Sequence, residues 1–386
     1  MCRYRKYFNF EISKNKTIIM KRSIYSTILL LIIGISLISC KKDKTAIEEP
    51  QIQILAGGTF TLVLKTDNSL FGCGGNDYGQ LGNCTNTNRN TLINIADGIK
   101  SISGGGYHTL VLKTDNSLWA CGYNVYGQLG DGTNTNRSSL VKIADGIKSI
   151  SAGIFYTLVL KTDNSLWACG RNDNGQLGDG TTTDKNSLVK VADGIKAISA
   201  GSRHTLVLKT DNSLWACGNN YYGQLGDGTT TNRNNLIKIA DGIKNISTGE
   251  SHTLVLKLDN SFWVCGYNSF GQLGDGTTTN SSSLVKIADG IKAISTNSNH
   301  SFVLKTDNSL WACGRNDNGQ LGDGTTTNSP SLIKIADGIK TICAGRYHSL
   351  VLKSDNSIWS CGSNLDGQLG DGSNSNRNSF VPITIP

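Results

Sequence analysis

Ile195 to Gly242, IKAISAGSRHTLVLKTDNSLWACGNNYYGQLGDGTTTNRNNLIKIADG, is one copy of a 48-residue unit that fills most of the chain. Its Cys-Gly pair recurs at Cys73, Cys121, Cys169, Cys217, Cys265, Cys313 and Cys361, always 48 residues apart. Seven such units run without a gap from Gln51 to Pro386 of the 386 residues. A fixed period of this size belongs to solenoids, propellers and arrays, in which each unit buries its apolar face against the next.

Within the unit, Thr205–Lys209 and Ser213–Cys217 are short runs of β-branched and large apolar residues separated by Asp211-Asn212. Asp and Asn tolerate the positive φ of a tight turn, so the pair reads as a hairpin. A third run, Leu236–Ala240, is followed by Asp241-Gly242 and a fourth run, Ile243–Ser247, and this dipeptide predicts a second hairpin. Leu206-Val207-Leu208 and Leu214-Trp215-Ala216-Cys217 are apolar on both faces, as expected of strands packed between neighbours. The predicted fold is therefore all-β, a seven-bladed β-propeller with four-stranded blades, the radial arrangement that leaves only short sheet edges. An open solenoid would need polar caps, and neither terminal unit has that character. The array starts on Gln51–Leu55, equivalent to a fourth run, and stops on Phe380–Ile385, equivalent to a third. An Ala-Asp-Gly link reaches roughly 10 Å. Crossing a whole blade at about 4.8 Å per strand would take more. The first and last runs are thus expected to pair in one shared blade and clasp the ring.

The first 50 residues differ in kind. Met20-Lys21-Arg22 is followed by the apolar run Ile28–Ile38, too short for a comfortable membrane span and of the length found in secretory signals. The run ends in Leu37-Ile38-Ser39-Cys40, which resembles the lipobox of bacterial lipoproteins. That resemblance implies a signal peptide over 1–39, a lipidated Cys40, a tether over 40–50, KKDKTAIEEP after the Cys, and a propeller over 51–386. Seven of the 37 basic and one of the 29 acidic residues fall in 1–39, so the formal charge of +8 drops to about +2 from Cys40 onward. A nearly neutral body with dispersed lysines lacks the basic stripe of a nucleic-acid binder.

The runs HTLVLK, WACG and GQLGDG carry a family likeness. The Gly-Gln-Leu-Gly core stands at Gly79–Gly82, Gly127–Gly130, Gly175–Gly178, Gly223–Gly226, Gly271–Gly274, Gly319–Gly322 and Gly367–Gly370, in register in all seven units. The array resembles the regulator of chromosome condensation repeats, which implies the seven-bladed propeller. The eukaryotic founder of that family exchanges nucleotide on a small GTPase through an inserted wedge and binds chromatin. These units are uniform in length with no insertion and follow an export signal, so that activity is not expected here. The family also includes secreted bacterial propellers that inhibit β-lactamases through the loops of one face.

No catalytic or metal-binding constellation stands out. His108, His204, His252, His300 and His348 share one repeat position, with Phe60 and Tyr156 in the other two units, which suggests packing with a hydrogen bond to a neighbouring loop. Zinc needs three or four ligands at one point, and equivalent positions in a ring are rotated apart. Cofactors and metals are not expected. The seven repeat cysteines read as buried small hydrophobes, while Cys84 and Cys343 are solitary additions without an evident role. The Gly-Asp-Gly-Thr loops lack the alternating acidic ligands of a calcium loop and the Gly-Lys-Ser/Thr of a P-loop, so they are read as turns.

The seven copies differ most in two windows. One precedes the His position and contains Phe60, Tyr107, Phe155, Arg203, Arg346 and Tyr347. The other follows Cys-Gly and contains Tyr78, Tyr123, Tyr126, Arg171, Tyr221, Tyr222, Tyr267, Phe270 and Arg315. Antiparallel pairing places both windows at the end of the hairpin opposite the Asp-Asn turn. Tyr, Phe and Arg on loops are the composition of protein-binding hot spots and paratopes. The expectation is a monomeric, non-enzymatic lipoprotein of a bacterial envelope, on the outer membrane, that binds a protein or other macromolecule through this face, with inhibition of an envelope enzyme as the narrower version. A glycan-binding module or an enzyme with a site at the central channel is the alternative class.

Overall fold

The computed structural model describes residues 51–386; the expected signal peptide, Cys40 and the tether lie outside the described residues. The described residues form 28 strands in seven four-stranded antiparallel sheets. Blade four consists of Ile195–Ala200, His204–Lys209, Leu214–Gly218 and Arg233–Ala240, hydrogen-bonded in that order. The first strand of every blade touches the first strands of both neighbours, so these seven line the axis. The fourth strands lie outside, and in blade four Asn234, Asn235 and Lys238 of that strand are exposed.

The continuous apolar runs are explained by burial on two sides. Leu206, Leu208 and Leu214 pack with Ile243, Ile246 and Val255 of blade five. Val207, between the two leucines, points the other way and packs with Leu158, Leu160 and Leu166 of blade three. Each interface between blades thus has its own apolar cluster, and truncating one of these leucines to Ala should cost about 2–5 kcal/mol.

Asp211-Asn212 turns the hairpin as read. Asn212 takes φ 64°, and the Asp211 carboxylate accepts the Ser213 amide at 2.9 Å and its hydroxyl at 2.5 Å. The Ser213 hydroxyl in turn accepts the Trp215 indole N–H at 2.9 Å, and Lys209 Nζ lies 3.7 Å from the centre of that ring. The repeated tryptophans are therefore fixed at the turn rim, away from the channel.

The Asp-Gly dipeptide does not turn a hairpin. Ala240 pairs with Leu214 in blade four, whereas Ile243 pairs with Lys257 in blade five, so Asp241-Gly242 joins consecutive blades. The link is wedged between two turns: the Ile243 amide donates to Asn212 O at 3.0 Å, and the Leu258 amide donates to Gly242 O at 2.9 Å. Its reach suffices because both flanking strands are bulged beside it, at Ile239 and at Lys244. A bulge bends its strand, and a count of flat ladder spacings ignores that bend.

The shared closing blade fails for the same reason. Gln53–Ala56 pairs with Phe60–Leu64 in blade one, and Arg377–Ile383 pairs with Ile358–Gly362 in blade seven. Every blade is contiguous in sequence, and the ring closes by side-by-side packing. Ile54, Val63 and Leu92 of blade one form one cluster with Leu350, Leu352 and Ile383 of blade seven. Blades and interfaces alike are completed by residues 51–386, so the propeller is a self-sufficient body.

Candidate partner-binding face

The family-like motif acts between blades. Gly223 sits at φ 81°, and a Cβ there would lie 2.3 Å from Ser282 Cα of blade five. Only glycine allows that approach. The adjacent Gln224 carbonyl accepts the Thr253 hydroxyl at 2.7 Å and the Cys265 thiol at 3.6 Å, both from blade five. The His position completes this contact. Thr253 has given its proton to Gln224, so it accepts from Nε2 of His204 at 3.1 Å, which fixes the imidazole as the neutral Nε2–H tautomer. Burial pulls the imidazole pKa down to about 4 at His204 and about 3 at His108, His252 and His348. The closing interface repeats the pattern, with Thr61 donating to Gln368 O at 2.7 Å and sitting 2.9 Å from His348 Nε2. Tyr156 substitutes by donating its hydroxyl to His204 O at 2.6 Å, and Phe60 fills the position with an apolar ring.

The repeat cysteines are buried and unpaired, and burial pushes Cys217 and Cys265 up to about 12. Cys343 has a place after all. Around the channel, Ser103, Ser151, Ser199, Ser247 and Ser295 each accept an amide of the next blade's first strand, and Cys343 Sγ accepts the Ala56 amide at 3.2 Å in the same way. Apart from Leu55 and Asn297, the channel is thus lined by small side chains whose hydroxyls are engaged. Among the described residues no group of three His, Cys, Asp or Glu side chains is placed to hold a metal.

Both variable windows lie at the end opposite the Asp-Asn turns, and backbone hydrogen bonds join them: Tyr123 N–H to Tyr107 O, Arg171 N–H to Phe155 O and Asn219 N–H to Arg203 O, all within 2.9 Å. The second window is held by a residue that its variability hides. Asn220, fully buried, accepts the Leu225 amide at 3.0 Å and donates to Asp227 Oδ1 and to the Thr229 and Thr231 carbonyls at 3.0–3.1 Å. Its equivalents Asn76, Asn124, Asn172, Asn268, Asn316 and Asn364 are also fully buried. The available signal was sameness, since this is the constant position inside a varying loop. Asp227 also accepts the Thr229 amide and hydroxyl, which makes the Gly-Asp-Gly-Thr loop an Asx turn.

The expected face residues are gathered at this rim, with one exception. Phe60 is fully buried in the core between blades one and two, because it occupies the His position rather than the loop before it. Tyr78, Tyr107, Tyr123, Tyr126 and Phe155 form an arc across blades one to three, with ring centres 4.9–6.3 Å apart between neighbours. Tyr221, Tyr222, Tyr267 and Phe270 form a second arc across blades four and five. It continues through Arg315, whose guanidinium lies 5.3 Å from Phe270 and 5.8 Å from Tyr347. Arg346 lies 5.0 Å from Tyr347 and donates to the Tyr107 hydroxyl at 3.3 Å, so the arcs meet over the axis. Arg171 and Arg315 are each ion-paired to the Asp two residues on, at 2.6 and 2.7 Å. An open cavity of about 530 Å³ lies where Tyr107, Phe155, Arg203, Tyr221, Glu250 and Arg346 converge.

Fold and rim together define a repeat propeller with a constant body and one aromatic, arginine-bearing end. The RCC1-like domain model matches residues 186–386. Models of the Regulator of chromosome condensation (RCC1) repeat match 52–80, 99–128 and 147–176, and also 67–112, 115–160 and 163–208. The chain belongs to the RCC1-like propeller family. No curated protein matches it in sequence. Among solved structures, yeast RCC1 (Prp20) bound to Kap60 superposes with a TM-score of 0.75 at 18% identity, covering 98% of this chain and 91% of that one. Prp20p from Saccharomyces cerevisiae gives 0.74 at 21% identity over 87% and 88%. Human WBSCR16 gives 0.71 at 21% identity over 79% and 87%. At these identities the likeness concerns the fold.

Proposed function

We propose that the chain is a non-enzymatic, protein-binding propeller of a bacterial cell envelope, lipidated at Cys40, that engages its partner through the variable rim; inhibition of an envelope enzyme is the narrower form of this reading. The observation that carries it is the concentration of copy-to-copy variation in two joined loops, where the side chains become a continuous run of Tyr, Phe and Arg across the ring mouth. Rigid aromatic side chains supply contact area at low entropic cost, and Arg adds directional hydrogen bonds. The alternative site in the channel has less behind it. The channel cavity is about 160 Å³, its serines are engaged, and the tryptophans that would suit a glycan lie at the opposite rim.

The solved relatives fit a binding role, since that of yeast RCC1 is a complex with Kap60. The first strand enters at Gln53, opposite Leu64 at the turn rim, and the last leaves at Ile383, opposite Ile358 at that same rim. The variable rim therefore lies at the end of the ring away from both of these strand ends. The test is capture from an envelope extract with residues 51–386, followed by affinity measurement with the purified partner. Tyr221→Ala combined with Tyr267→Ala should weaken binding at least about tenfold. Undiminished affinity in that variant would remove the rim from the function.

A further inference from the structure

The four arginines of the variable rim fall into two classes. Arg171 and Arg315 are neutralised by Asp173 and Asp317. Among the described residues Arg203 and Arg346 have no carboxylate within ion-pair distance, although they come from blades four and seven and converge on one cavity. Arg346 Nε is buried there and has no acceptor, while its guanidinium is positioned by the Tyr107 hydroxyl and the Tyr347 ring. Guanidinium groups that line a cavity without a carboxylate partner leave donors for an anionic ligand atom.

The third charge in the cavity is Glu250. One oxygen, Oε2, accepts the Asn299 amide at 3.0 Å and the Ser298 hydroxyl at 3.2 Å, which fixes the side chain. Two guanidinium groups and one carboxylate give the cavity a net single positive charge, walled by Tyr107, Phe155 and Tyr221. Its volume, about 530 Å³, lies within the roughly 300–1,000 Å³ of ligand sites. A doubly charged phosphate would meet repulsion from Glu250. A peptide carboxylate matches better, because its single charge suits the arginine pair and the neighbouring backbone N–H groups suit Glu250.

We propose that the mouth of the propeller is an acidic-residue receptor: a partner loop inserts one Asp or Glu side chain between Arg203 and Arg346, with its flanking residues packed on the aromatic wall. This inference rests on the reading of the variable rim as a protein-binding face and names the group that its centre recognises. A displayed random nonapeptide library selected on residues 51–386 tests it. The selected peptides are expected to share one acidic position. Changing that residue to its amide should weaken binding at least about tenfold, as should Arg203→Gln or Arg346→Gln in the propeller, and the double changes should be non-additive. Arg346→Lys, which keeps the charge and loses the planar guanidinium fork, should recover only part of the loss, and unchanged thermal unfolding of the variants excludes misfolding. Peptides without a shared acid, or binding indifferent to both arginines, would overturn the inference. If such peptides still depend on Tyr221 and Tyr267, the rim keeps its role and only the acid receptor is lost. Inorganic phosphate and acetate serve as competing probes. Arginine-dependent phosphate binding at micromolar concentration with no acidic peptide selected would also overturn it, in favour of a free-anion site.

Discussion

His204 shows how a group with catalytic potential can serve as plain structure. Its ring is buried, neutral and committed to Thr253 across the blade boundary. The unfolded chain binds protons to its histidines below about pH 6.5, while the folded protein refuses them down to about pH 3–4. Between those limits the unfolded state holds more protons, so stability rises with pH and is lost as pH falls. By pH 5 each buried His should have cost about 2 kcal/mol relative to pH 7.5. The turn carboxylates such as Asp211, held below their usual range by the Ser213 hydroxyl and amide, add their own loss only below about pH 4. Urea unfolding at pH 7.5 and 5.0 measures the slope, and His204→Phe, the solution already present at Phe60, should flatten it by the share of one histidine. A slope unaffected by that change would mean that His204 is not buried neutral. The five-of-seven distribution of His pointed to structure before any coordinates, but the identity of its partner depends on the neighbouring blade and could not be read from one copy. Phe60 was misplaced on the face although the same alignment of copies puts it at the His position.

At the scale of elements, the hairpin of the second and third strands was legible because Asp-Asn, Ser and Trp act within one turn. The Asp-Gly link was not, since the same dipeptide serves hairpins and blade crossings, and the difference lies in the bulges at Ile239 and Lys244. The loops after the third strands combine a fixed frame with free tips. Asn220→Ala would strand the Leu225 amide and the Thr229 and Thr231 carbonyls, and should cost about 2–4 kcal/mol in denaturant unfolding. Tyr221→Ala in the same loop, where Tyr221 is 71% exposed, should stay within about 0.5 kcal/mol. Equal costs at the two positions would contradict the division into frame and tip. The same division explains why the composition of the face could be read from sequence while the meeting of Arg203 and Arg346 could not: they are 143 positions apart in sequence and are joined only by the ring.

For the whole molecule, contiguous blades and closure by packing make the seven interfaces equivalent. A circular permutant that joins Ile383 to Gln53 through a short linker and opens the chain between Asp193 and Gly194 should keep the strand content and midpoint of the native ring, because the new ends fall on a link like the five others between blades. A collapse of cooperative unfolding would show that the natural ends hold something the other links do not.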